Sequence, residues 1–572
     1  NVQPAFYPPL TNGVKPGDPY TPLMRAYEGD KVQVRVLVGA NEEGHNLSVH
    51  GTKWLFEPSD INSGYRNSQM MGISEHFEFE LPPLPRNLLG TTADYLYQAG
   101  SSVDDLWNGL WGIMRAYKGT QAAGSDTLLP LPNNPNGKAP DVNLTTLNGI
   151  CPKSAPVRSF SITAVTAANA LSGGRLLYNE RTVNGGPLND PTAILYVRTG
   201  DLDTTGKLKA GVPIEPLILR ANAGDCINVV LYNKLPSVLS DLPGPNTMPM
   251  IVDKFNANQV KPSSQVGLHP QLLYYDVTRS NGVNVGLNYV RTVSPGRNIT
   301  YQWYAGEVNI NTTTGNVTGT PIEFGATNLI SSDPIKHSNK GAIGGLIIEP
   351  QGSTWVEDST SRAQATVTKS DATTFREFVV IFQNDINLRY SDGTSIPNVA
   401  NEEDAEDSGH KAINYRTEPF WFRMGFAPDT PLSSAHAEGP SLVTRDLDFT
   451  NALTNGQVGG DPVTPVFTAK TGTPVRFRVL HPGGHQRNNV FQLHGHTWQE
   501  EPYIEGSTKI GSNPLSEWVG SQEGVGPTTH MDVVPEHGAG GAFGVTGDYL
   551  YRDMASFQFD GGLWGIFRVT PP

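Results

Sequence analysis

The chain has 572 residues, with 61 glycines, 45 prolines, two cysteines and only 17% charged residues. Its length sets an expectation of about three to four domains, and the glycine and proline excess favours turns over long helices. Acidic residues outnumber basic ones 55 to 41, for a net charge of −14, which argues against a nucleic-acid binder with its basic face. No run approaches the length of an apolar membrane span. No basic segment followed by an apolar one opens the chain, so any signal peptide is expected to be already gone.

In chain order, short runs of alternating polar and apolar residues predict strands. They are Lys31–Val38, His76–Leu81, Arg158–Thr163, Cys226–Tyr232, Asn298–Tyr304, Arg376–Phe382 and Pro474–Leu480. Each is bounded by Gly, Pro, Asn, Asp or another turn-rich segment, and no helical period is sustained over twelve residues. Strands with one wet and one dry face build β-sandwiches.

The first and last hundred residues or so repeat one another. Asp18-Pro-Tyr-Thr-Pro22 matches Asp461-Pro-Val-Thr-Pro465, and Val49-His-Gly-Thr-Lys-Trp54 matches Leu493-His-Gly-His-Thr-Trp498. Asp94-Tyr-Leu-Tyr97 matches Asp548-Tyr-Leu-Tyr551, and Gly109-Leu-Trp-Gly-Ile113 matches Gly562-Leu-Trp-Gly-Ile566. The order is kept throughout, so the two ends are copies of one fold. A weaker third copy lies between them, marked by the Cys226 strand, Gly267-Leu-His-Pro270 and Gly341–Glu349. Three domains are expected, near 1–150, 151–370 and 371–572. Their boundaries rest on a Pro/Gly/Asn-rich connector around 130–150 and a Ser/Thr-rich stretch from Ser353 to Thr374.

Leu493-His-Gly-His496, followed by a Tyr-rich strand and Gly562-Leu-Trp-Gly565, resembles the last domain of multicopper oxidases. The resemblance implies an all-β chain of three tandem cupredoxin-like Greek-key sandwiches. It also implies a blue copper held by imidazoles and a thiolate, and a trinuclear copper cluster between the first and last domains. The ligand positions have changed. The first-domain motif reads Ser48-Val-His-Gly51, keeping His50 but placing Ser48 where a histidine is expected. Around Gln98-Ala-Gly-Ser101 no histidine remains. In the third domain Asn489 and Gln492 take histidine positions, and Arg552-Asp553-Met554 stands where His-Cys-His is expected. Of the cluster imidazoles only His50 and His494 are left. A blue-copper centre without its thiolate is not one, so the resemblance extends to fold while electron-transfer chemistry is expected to be lost.

The resemblance would bring His50 and His494 together between the first and third domains, with His496 close by and His45 and His485 just upstream. Two readings are open: one copper or zinc held by these imidazoles, or hydrogen bonding across a polar interface with no cofactor required. His76, His530 and His269 are read as structural. The acidic run Glu402–Asp407 offers the oxygen ligands that Ca²⁺ and Mn²⁺ prefer, or is a solvated loop. Cys151 and Cys226 either form one disulfide or are two buried thiols, and the acidic, lysine-poor composition favours the bridge and a secreted or periplasmic location.

The second and third repeats each open with a strand well ahead of the one that follows Gly-Asp or Gly-Thr: Arg158–Thr163 and Arg376–Phe382. The first repeat has its Gly29-Asp30 strand but no such forerunner. A bare strand edge invites pairing with another chain. The expectation is a protein partner, or the front of a longer precursor, that completes the first domain. The functional expectation is a non-catalytic structural or scaffolding subunit of a larger extracytoplasmic assembly. The alternatives are an oxidoreductase subunit whose copper sites are shared with a partner chain, and a simple metal-binding protein.

Overall fold

The computed structural model describes residues 17–39, 44–84, 90–100, 105–106, 109–121, 127–242, 261–396, 410–425, 449–456, 458–484, 488–554 and 556–572. His485 and the acidic run at 402–407 lie outside the described residues. The chain is almost entirely β, and its sheets form three successive β-sandwich repeats.

The first repeat contains β1 (Met24–Tyr27), β2 (Val32–Leu37), β3 (His45–Val49), β4 (Ser68–Met71), β5 (His76–Leu81), β6 (Thr92–Ala99) and β7 (Trp111–Tyr117). One sheet runs β1-β7-β6-β3-β4, with β1 parallel to β7, and the antiparallel pair β2-β5 faces it. The middle repeat contains β8 (Val157–Thr166), β9 (Ile194–Arg198), β10 (Leu217–Asn222), β11 (Cys226–Asn233), β12 (Leu268–Pro270), β13 (Asn298–Tyr304), β14 (Gly325–Ser331) and β15 (Gly344–Glu349). Its sheets run β9-β8-β11-β13 and β10-β15-β14-β12. The third repeat contains β16 (Thr354–Asp358), β17 (Ser361–Thr368), β18 (Thr374–Gln383), β19 (Val466–Lys470), β20 (Val475–Leu480), β21 (Asn489–Leu493), β22 (Ser521–Val525), β23 (His530–Val533), β24 (Gly547–Asp553) and β25 (Trp564–Thr570). Its sheets run β16-β17-β18-β20-β23 and β19-β25-β24-β21-β22.

Each predicted strand is present. The same parallel pair opens one sheet in every repeat: β1 on β7, β10 on β15 and β19 on β25. The turn into the Gly-Asp or Gly-Thr strand is also common to all three. Gly29, Gly224 and Gly472 sit there at φ of 84°, 86° and 75°, a region that L side chains resist. The Ser/Thr-rich stretch expected as a connector instead forms β16 and β17, which extend the third repeat's sheet through β17 on β18. Its alternating Ala363, Ala365 and Val367 are buried, and its threonines are at home on a pleated surface.

The second sheets differ. β11 is flanked by β8, running parallel, and by β13, antiparallel. β20 is flanked in the same way by β18 and β23. Among the described residues β2 has a neighbour on one edge only, β5.

Candidate functional site

His50 follows β3, and its backbone N–H is fixed by the carbonyl of Leu96. Its ring stacks on that of His269 in β12, with centroids 3.8 Å apart. Asn281 holds both: its Oδ1 lies 3.2 Å from His50 Nδ1 and 2.8 Å from His269 Nδ1. Burial, and then the neighbouring His269, hold His50 well below the usual imidazole range. Burial lowers His269 to about 4. Two neutral stacked rings therefore pin the first repeat to the second.

His494 occupies the matching place after β21, with its N–H on the carbonyl of Leu550, but it is exposed. Its Nε2 lies 3.0 Å from Gln492 Oε1, which also accepts from Arg552 Nε at 3.0 Å. Burial and the Arg552 charge lower its pKa. His496 is buried, with Nδ1 2.9 Å from the His494 carbonyl and Nε2 accepting from Gly540 N–H at 3.1 Å. The structure does not bring His50 and His494 together: one faces the middle repeat and the other faces outward. The first and third repeats touch elsewhere, through Asn46 to the Pro527 carbonyl, Ser68 to Thr528 at 2.7 Å, and Arg66 to Glu501 at 3.1 Å. His45 pairs with Asp105 at 2.8 Å. His76, read as structural, is exposed on β5. Among the described residues no three His, Cys, Asp or Glu side chains gather as a metal site.

Ser48, Asn489 and Asp553, expected at ligand positions, lie inside the protein. Asn489 and Asp553 are fully buried. Asp553 Oδ1 accepts the Val490 N–H at 3.0 Å, while among the described residues neither side-chain polar atom of Asn489 has a hydrogen-bond partner. Ser48 is buried beside Gln98 across β3 and β6, and its hydroxyl also has no partner among the described residues. These oxygens and amides are not the soft sulfur and imidazole donors that redox copper prefers. Cys151 and Cys226 form a disulfide, and the chain has no other cysteine.

A second repeated device surrounds this region. Arg115 of β7 grips Asp94 at 2.7 Å and Asp18 at 2.7 Å. Arg568 of β25 grips Asp548 and Asp461 at 2.7 and 2.8 Å in the same pattern. In the first repeat the middle repeat covers it: Leu287 N–H donates to Asp94 Oδ2 at 2.7 Å, and Asn288 Nδ2 to the Asp94 carbonyl at 2.7 Å. Asp94 is consequently 0% exposed, against 41% for Asp548. The third repeat's corresponding face, with His494 and Phe543, is bare among the described residues.

Sequence reasoning missed a buried charge network between the second and third repeats. Arg478 of β20 contacts Glu377, Asp532 and Glu349 at 2.9, 2.7 and 3.1 Å. Arg220 of β10 contacts Glu377 at 2.8 Å and Glu357 at 3.0 Å. Burial would raise Glu377, but Arg220 and Arg478 hold it down at about 2. Burial and the Glu377 charge push Glu349 well up. Arg220 and Arg478 thus share Glu377, with Glu357 on one side of it and Asp532 and Glu349 on the other.

A cleft of about 660 Å³ separates the first and third repeats, lined in part by Arg66, Met70, Glu500, Glu501 and His530. Burial and nearby Glu500 push Glu501 up to about 7, against the pull of Arg66. His530 on β23 is buried, and neither ring nitrogen is hydrogen-bonded among the described residues. Burial, then the Arg66 charge, lowers it to about 3. Below the unfolded value of about 6.5 the unfolded chain takes a proton that the native chain refuses. This residue's contribution is therefore lost as pH falls from there toward the native value. His530→Met removes that penalty. The stability of the variant relative to the parent should rise by about 2 kcal/mol between pH 8 and pH 5 in denaturant titrations. A pH-independent difference would contradict this.

No family model matches the chain, and no curated protein matches it. Among solved structures it is similar to a multicopper oxidase at 14% identity and a TM-score of 0.37, over 72% of this chain and 89% of that one. A copper nitrite reductase from Nitrosomonas europaea matches at 13% identity and 0.36, over 72% of this chain and 94% of that one. The multicopper oxidase mgLAC matches at 13% and 0.36, over 73% and 86%.

Proposed function

We propose that this protein is a non-catalytic structural subunit of an extracytoplasmic assembly, a cupredoxin-type framework without a redox copper centre of its own. The observation that carries this reading is the disulfide: both cysteines of the chain are tied to each other, so no thiolate is left for a blue copper. The same bond supports an oxidising compartment. The replacement of expected ligands by Ser48, Asn489, Gln492 and Asp553 agrees with it. The bare third-repeat face and the one-sided β2 support an assembly. Elemental analysis of native protein tests the reading: the fold intact with copper far below stoichiometric supports it, and stoichiometric copper in the isolated chain counts against it.

His494 favours a second reading, copper shared with a partner chain. It is an exposed imidazole on a face whose counterpart in the first repeat is covered by another domain. Copper present in the assembled complex and lost with the partner would support that reading. Colourless copper or zinc retained stoichiometrically by the isolated chain would support the simple metal-binding alternative.

A further inference from the structure

The cleft between the first and third repeats, about 660 Å³, has the size and place of a small-molecule site. Four carboxylates stand on its walls, Glu75, Glu500, Glu501 and Glu523, against one lining cation, Arg66. Arg66 is committed to Glu501 at 3.1 Å and lies over the Phe56 ring at 5.1 Å. Among the described residues Glu75, Glu500 and Glu523 form no ion pair, and Glu75 accepts only the Gly72 N–H. Burial pushes the half-buried Glu500 carboxyl up; Arg66 pulls it down, and the charges of Glu517 and Glu523 add to the rise. Like charges gathered on one cleft attract a cation and are relieved by it. His530 lines the same cleft, 5% exposed, with both ring nitrogens lacking a hydrogen-bond partner among the described residues. Buried polar groups are otherwise paired. Its imidazole is neutral, so it offers an acceptor nitrogen and no opposing charge. Phe56 and Phe77 add apolar wall.

We infer that this cleft binds a small organic cation, a protonated amine carried on an apolar body. Glu500 supplies the countercharge, and the exposed Glu75 and Glu523 set the field at the entrance. His530 supplies the buried acceptor, and Phe56 and Phe77 supply the apolar wall. An anion would meet three carboxylates that no cation of the cleft neutralises. A bare metal ion needs converging donors, and among the described residues no three His, Cys, Asp or Glu side chains gather for one. An ammonium asks for less: a carboxylate, an acceptor nitrogen and an aromatic face satisfy its charge and its N–H groups. The two walls come from opposite ends of the chain and meet through Ser68 and Thr528 at 2.7 Å, so the site exists only in the folded protein with these repeats docked. It involves no copper and no partner chain, and it stands or falls apart from the non-catalytic reading.

Titration of the intact chain with phenethylammonium, followed through the methionine methyl resonances, tests this. The methyl group of Met70, on the cleft wall, should shift to a saturating endpoint, while that of Met114, in the first repeat's core, should stay in place. The neutral isostere phenethyl alcohol should bind at least about tenfold more weakly. Glu500→Gln should weaken binding of the amine at least about tenfold, and His530→Met about fivefold, with the Met114 signal unmoved as the mark of an intact fold. The absence of a saturating Met70 shift would overturn the inference. So would equal binding of the alcohol, unaltered affinity in either variant, or a Met70 shift produced by Ca²⁺ or Mn²⁺ and not by the amine. The comparison of amine with alcohol is made on the parent chain, so it decides the matter even where a variant fails to fold.

Discussion

Arg478→Met is expected to lower the unfolding free energy by about 3–5 kcal/mol, the cost of breaking a buried ion network by removing one partner. Arg478 is 0% exposed and binds three carboxyl groups, from Glu377, Asp532 and Glu349. Without it Arg220 remains against Glu377, but Asp532 loses its cation in a place that water does not reach. The residual charge cannot be relieved cheaply. Asp532 also holds the Ala326 N–H at 3.1 Å and the Tyr503 hydroxyl at 3.3 Å, so its neighbours cannot swing away. The network joins β10 and β15 of the middle repeat to β18, β20 and β23 of the third, so the loss should appear as weakened coupling between these repeats. Guanidinium titration followed by tryptophan fluorescence measures it. A cost below about 1 kcal/mol, the range of exposed pairs, would show that the network is hydrated in solution.

Removing the disulfide is the second large effect. Cys151 lies ahead of β8 and Cys226 opens β11, at a sequence separation of 75. Closing a loop of that length restricts the unfolded chain, and the stabilisation is about 3–5 kcal/mol by loop entropy. Both sulfurs are buried against Tyr304, so paired alanines leave little that needs hydration. The Cys151→Ala, Cys226→Ala variant should therefore unfold earlier by that amount while keeping the native spectrum. It should also become insensitive to reductant, whereas the parent is destabilised by reductant to the variant's level. A parent indifferent to reductant under conditions that reduce the bond would contradict this.

The strands and the repeat were legible because period-two runs such as Cys226–Tyr232 and duplicated stretches such as Asp94–Tyr97 and Asp548–Tyr551 are local signals. The register of the two end repeats was legible for the same reason: Ser48 matches Gln492, and Gln98 faces Ser48 as Arg552 faces Gln492. The partner of His50 was not. His269 sits in the weakest copy, where sequence offered no register, and a conserved order of motifs does not say which domains meet. The charge network escaped for a related reason. Alternation places Arg476 and Arg478 on the polar side of Val475–Leu480, but that side faces the middle repeat rather than water. Periodicity assigns a face and is silent about what covers it.

Visible absorption of the purified chain titrated with Cu²⁺ tests the central claim most directly. With Asn489, Gln492 and Asp553 in the expected ligand places and both sulfurs in one disulfide, the spectrum should show no intense blue thiolate-to-copper band at any copper ratio. Growth of such a band to a stoichiometric endpoint would contradict it.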